Sequence, residues 1–194
     1  MSKRITGFLI EANVIKEDEA ELYEYGLSLI GKKISHMLLI LLIGWIGGQL
    51  LGMISFLASY ICLREYAGGY HAKTSKYCYL CTGVVTLSVL VMFFIFRRLN
   101  VGWICICMLI SGIIIWRQSP QETPTKPLSE KEKALYGRKA RCYLLCLGIL
   151  FGISVCFLRE IAEGIACACI VQMFMLIIGR CLGKIYGIVK KRIC

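Results

Sequence analysis

Long apolar runs separated by short polar stretches set the pattern of this chain. Four of them, Tyr79–Phe96, Val101–Trp116, Cys142–Leu158 and Ile161–Gly179, carry almost no charge. Each has the length of about one bilayer crossing, roughly 24–29 Å at about 1.5 Å per helical residue. A fifth run, Ile34–Leu63, would extend roughly 45 Å as one helix, too long for a single untilted span. Its cluster of Gly44, Gly47, Gly48 and Gly52 predicts a break around Gly47–Gly48, which turns the run into a hairpin. With halves of about 15 residues, both a re-entrant hairpin and two short spans fit.

Ahead of the hairpin, Ile5, Phe8, Leu9, Ala12 and Ile15 recur at helical spacing, with Glu11 and Lys16 off the stripe. This predicts an amphipathic helix, lying at the membrane interface or packed on the protein itself. The expected fold is therefore all-α: a polytopic membrane protein of about six membrane-embedded helices, the first two short, plus that N-terminal helix. The layout is a single membrane domain. It comprises an amphipathic region (1–33), a hairpin (34–63), a polar loop (64–78), two spans (79–116), a basic connector (117–141), two more spans (142–179) and a basic tail (180–194). The connector holds all three prolines and reads as an extended entry followed by a basic helix, with Ser129 as its cap and Glu132 completing a capping box.

Composition agrees, with 58% hydrophobic residues and a mean hydropathy of +0.70. Residues 1–33 are charged and lack the apolar core of a cleavable signal peptide. The net charge of +11 serves as a topology signal, since basic residues concentrate in cytoplasmic loops. With the hairpin, twenty of the 23 basic residues fall on one side, and only Arg97, Arg98 and Arg159 on the other. A single crossing of Ile34–Leu63 would leave eight against fifteen. The hairpin topology puts both termini and the 64–78 loop in the cytoplasm. Nucleic acid is not an expected partner, because the charge is divided among loops. Most of the twelve cysteines lie inside apolar runs as small hydrophobes rather than as a disulfide framework.

The polar loop "REYAGGYHAKTSKYC", Arg64–Cys78, holds one of only two histidines, seven residues before a cysteine. On one continuous helix the pair would share a face yet stand about 10 Å apart, beyond hydrogen-bond reach. A bend is needed. Gly68–Gly69 permits one, and Thr74 or Ser75 can cap the next helix. Cys78 then falls in a first helical turn, where free amides and the helix dipole favour a thiolate, with His71 folded back as base. A buried cysteine beside an unrelated histidine is the plainer alternative. Cys78 and Cys81 also form a Cys-x-x-Cys, but no second such pair exists and only His71 is near, so no metal or other cofactor is expected. His36 reads as an interfacial or packed histidine.

The pattern Arg64-x-x-x-Gly68-Gly69-x-His71-Ala72-x5-Cys78 resembles that of the AgrB family, the accessory gene regulator B proteins of Gram-positive quorum sensing. "ELYEYGL" (Glu21–Leu27) and "TPTKPL" (123–128) are similar to family features too. The resemblance implies a cysteine endopeptidase of the bacterial cell membrane acting on an AgrD-like precursor peptide, with catalytic His71 and Cys78, working as a homodimer. An acyl-enzyme thioester on Cys78 would be resolved by a cysteine or serine of the peptide, giving a macrocyclic autoinducer.

Around that pair, Arg64 has two open roles, pairing with a precursor carboxylate or holding the loop by its carbonyls. The Gly68–Gly69 amides either serve an oxyanion site or simply permit the turn. Glu65 is the nearest carboxylate to orient His71. Lys73, Lys76 and the basic residues of 126–141 form a field for an acidic precursor tail or for anionic lipids of the bilayer. The rival class is a small peptide transporter or channel without catalysis. Its weakness is that the spans hold no evident ion pathway, Glu163 being the nearest candidate charge.

Overall fold

The computed structural model describes residues 2–12, 14–69, 75–122 and 129–193, without the side chains of 2, 3, 17, 75–79 and 184–193. Among these residues it is all-helical: α1 (Ser2–Glu11), α2 (Ala20–Ile46), α3 (Leu50–Ala67), α4 (Ser75–Arg98), α5 (Val101–Gln118), α6 (Glu130–Phe157) and α7 (Arg159–Ile193). A single 3-10 turn, Glu17–Glu19, precedes α2. Helices α2 to α7 each contain a stretch long and apolar enough to cross a membrane. This is a multi-pass membrane protein.

Two compact units can be separated, Met1–Leu39 and Ile40–Cys194. In the first, α1 leaves Ile5 and Phe8 of the expected apolar stripe exposed, Phe8 by 68%, while Ile15 beyond the helix is buried. An exposed apolar stripe on a short helix is what an interfacial helix presents.

The second unit opens on the hairpin turn, which lies where the glycines predict it. Helix α2 stops at Ile46 and α3 begins at Leu50. Gly48 takes φ +64°, a left-handed conformation that glycine adopts without cost. The hairpin's arms are not both short, however. The polar residues Glu21–Lys33 continue the helix upstream, so α2 has 27 residues and α3 has 18. Likewise α6 fuses the basic helix of the connector to the fifth span over 28 residues. No proline interrupts that stretch, and helix is the cheapest way to satisfy its backbone. Its start is as expected: Ser129 Oγ accepts from the Glu132 amide at 3.3 Å and the Ser129 amide donates to Glu132 Oε2 at 2.9 Å, a complete capping box.

Helix α7 forms the core of this unit, and α3, α4, α5 and α6 all contact it. Its middle is built of small side chains, and Ala162, Ala166, Cys167, Ala168 and Cys169 are buried. Small residues let membrane helices approach closely enough for dispersion and weak polar contacts to replace the hydrophobic drive that lipid does not supply. The closest approach is Gly164, where a Cβ would run into Ser55 and the Gly52 carbonyl of α3. Ser55 Oγ donates to the Ile161 carbonyl there at 2.9 Å. Gly44, Gly47 and Gly52 face Met53, Leu90 and Phe93 of the same chain.

Candidate active site

Where α3 ends, three chain segments meet at two glycines. The last turn of α3 closes with the Gly68 amide donating to the Arg64 carbonyl at 3.3 Å. Gly68 (φ +74°) and Gly69 (φ +119°) then turn the chain through backbone conformations that side chains disfavour. Space demands glycine as well: a Cβ on Gly68 would strike the backbone of Gln121, and one on Gly69 would strike the Arg64 guanidinium and approach the Met175 carbonyl of α7 at 3.3 Å. The segment following α5 runs alongside, and the Gln121 amide donates to the Ala67 carbonyl at 3.0 Å.

One atom collects the remaining contacts. The Gly68 carbonyl accepts from Arg64 Nη1 at 3.0 Å and from Gln172 Nε2 of α7 at 2.8 Å. Both lone pairs of that oxygen are thereby used, one by a charged donor and one by a neutral amide. Gln172 is 0% exposed, and its Oε1, like the Ser119 hydroxyl, finds no hydrogen-bond partner among the described residues. Tyr66 fixes the same corner from outside. It stacks on Tyr143 of α6 with centroids 5.2 Å apart, tilts against Tyr136 at 6.0 Å and lies under Lys139 at 5.1 Å.

Of the residues expected to carry the chemistry, Arg64, Gly68 and Gly69 are brought together here. Arg64 is bonded to the loop backbone, the second of the two roles open to it, and the two glycines make a turn. Glu65 is exposed on the last turn of α3. His71 and Lys73 lie outside the described residues, as do the side chains of Lys76 and Cys78. Along α4 Cys78 is the fourth residue, within the first turn, whose amides lack helical acceptors. Cys81 is half-buried one turn on. Among the described residues no cluster of His, Cys, Asp and Glu has the make-up of a metal site.

Gln172 and Tyr66 escaped the sequence reading. For Gln172 a signal existed: it is the only amide in the apolar run Ile161–Gly179, and polar groups placed in spans usually have work to do. Tyr66 offered none, because its partners on α6 are seventy or more residues away.

The Accessory gene regulator B family matches residues 2–176, nearly the whole chain, including the entire Arg64–Cys78 segment. The chain belongs to the AgrB family. Two relatives from Clostridium perfringens are similar to it, "Putative AgrB-like protein 2" of strain 13 / Type A and "Putative AgrB-like protein" of strain SM101 / Type A. Each is 24% identical over 136 residues, covering 67% of this chain and 64% of the relative. The match thus spans under two thirds of the relatives' length. No solved structure matches. The family match runs through the Gly68–Gly69 corner.

Proposed function

We propose that this AgrB-family chain is a membrane cysteine endopeptidase that removes the C-terminal part of an AgrD-like propeptide and promotes its cyclisation. The observation that carries this reading is the Gly68–Gly69 turn, held by Arg64 and Gln172, leading within nine residues to a cysteine in the first turn of α4. The concentration of basic residues in the 64–76 and 117–141 segments supports a cytoplasmic site.

In this mechanism His71 takes the Cys78 thiol proton, and the sulfur attacks the scissile carbonyl carbon. The tetrahedral adduct collapses with cleavage of the C–N bond, and His71 returns the proton to the departing amine. The N-terminal part of the peptide remains as a thioester on Cys78. A thiol or hydroxyl within that peptide then attacks the thioester carbonyl, closes a thiolactone or lactone ring, and frees Cys78. Exchange of one thioester for another changes little in energy, so the second step needs no external driving force. It does need exclusion of water, which would yield a linear acid, and a site at the membrane boundary meets that need. Lys73, Lys76 and the basic start of α6 provide a field for an acidic peptide tail. The enzyme works as a homodimer in this reading, as the family resemblance implies.

The test uses the full chain in phospholipid vesicles with an AgrD-like precursor peptide. Cleavage by the wild type and by Cys81→Ala, but not by Cys78→Ala or His71→Ala, is the expected result. Cleavage by Cys78→Ala would remove the thiol mechanism and return a peptide transporter to first place.

A further inference from the structure

We propose that Gln172 is a positioning residue for the reaction, holding the Gly68 carbonyl from α7 and thereby fixing the turn that leads to His71. This rests on the assignment of His71 and Cys78 above. Three observations carry it. First, the bond from Gln172 Nε2 to the Gly68 carbonyl is 2.8 Å long and links residues 104 apart, so it joins the loop to the central helix of the unit. Second, Gln172 is completely buried in an otherwise apolar stretch of α7. A buried amide in such surroundings is costly unless its bonds are made, and this one makes its bond to the loop. Third, Gly69 runs so close to Arg64 and to the α7 backbone at Met175 that no side chain fits there.

The consequence follows from connectivity. In sequence only two peptide units separate Gly69 from His71, so the anchored carbonyl lies within a few residues of the proposed base along the chain. Arg64 and Gln172 divide the work, because Arg64 belongs to the same helix end as the carbonyl it binds whereas Gln172 belongs to a different helix. Arg64 therefore shapes the turn, and Gln172 registers it against the bundle. A hydrocarbon at position 172 would leave the shape and lose the register.

The experiment follows Cys78 itself. Full-length protein in detergent micelles is treated with iodoacetamide over about pH 5–9, and alkylation of each cysteine is read by peptide mass spectrometry. Exposed Cys181 serves as the accessible-cysteine reference, and buried Cys167 and Cys169 report whether the bundle is intact. In the wild type Cys78 should react at a pH where Cys181 does not. Gln172→Leu should move the Cys78 profile toward that of Cys181, with Cys167 and Cys169 still protected. Turnover of the precursor should fall about 100-fold, the scale of a misplacement near 1 Å, while KM stays within about two-fold.

An unchanged Cys78 profile and kcat in a folded Gln172→Leu protein would overturn the proposal. If Gln172→Leu exposes Cys167 and Cys169, the shorter Gln172→Asn decides by the same profile and kcat. If Cys78 in the wild type reacts no faster than Cys181, the His71–Cys78 assignment itself fails, a result separable from the others.

Discussion

The two ends of the Ile40–Cys194 unit are fastened by different chemistry. At the end bearing the α4–α5 and α6–α7 turns, charges do the holding. Arg159 Nη2 donates to the Phe96 and Leu99 carbonyls at 2.6 and 2.8 Å, and its Nε pairs with Glu163 at 2.9 Å. Arg97 meets Glu160 at 3.2 Å beside it. Glu163, only 1% exposed, is thus bound to the one residue that also caps α4. At the opposite end the Gly68–Gly69 turn itself is held by backbone bonds, the Gln172 amide and the Arg64 guanidinium, and the ion pair there, Lys133 with Glu122, fastens the segment after α5 to α6 rather than the turn. The charged end makes a rigid clasp. The other end carries glycines, buried acceptors and one carbonyl held from two helices, an arrangement that trades strength for exact placement of a loop. The buried carboxylate that looked like a candidate ion pathway belongs to the clasp.

Mutations should separate these roles, and the largest effect should come at the crossing that both ends depend on. Gly164→Leu places a side chain where α3 backbone already lies, and overpacking against a helix backbone should cost about 3 kcal/mol or more. Little monodisperse protein should survive detergent extraction and size-exclusion chromatography. Next comes the clasp. Arg159→Met leaves the Glu163 charge buried and alone, a loss of about 3–5 kcal/mol, seen as a lower midpoint of thermal unfolding in detergent. The double variant with Glu163→Leu should recover most of it, and the rate per folded molecule should stay at the wild-type level in both. At the loop end the pattern inverts. Arg64→Met should reduce precursor turnover by about 10-fold or more while costing about 1–2 kcal/mol, so activity falls further than the unfolding midpoint does. Ser129→Ala should show the smallest change, about 1 kcal/mol from the lost cap, with turnover unaltered. Equal losses of activity and stability at Arg64 and Arg159 would erase the distinction between the two ends.

What the sequence made legible was local. The Gly47–Gly48 turn could be read because glycines mark a break in an overlong apolar run, and the Ser129–Glu132 box because its two partners are three residues apart. The six apolar stretches followed from hydropathy. The extents of α2 and α6 did not, since a helix continues through polar residues wherever nothing stops it. In the candidate site, Arg64, Gly68 and Gly69 stood out as a motif, but their geometry comes from α7 and from the segment after α5. A bond spanning 104 residues leaves no periodic trace. Gly164 was invisible for the same reason, since its meaning lies in the backbone of α3. The glycines of the hairpin were legible as a break, while the side chains they pack on were not.

The most direct measurement is the intact mass of the full-length protein after brief mixing with the precursor peptide and acid quench. The account predicts a wild-type adduct equal in mass to the N-terminal part of the cleaved peptide. It should be absent from Cys78→Ala, strongly reduced in His71→Ala and retained in Cys81→Ala. Cleaved peptide accumulating without any adduct, or an adduct that persists in Cys78→Ala, would contradict it.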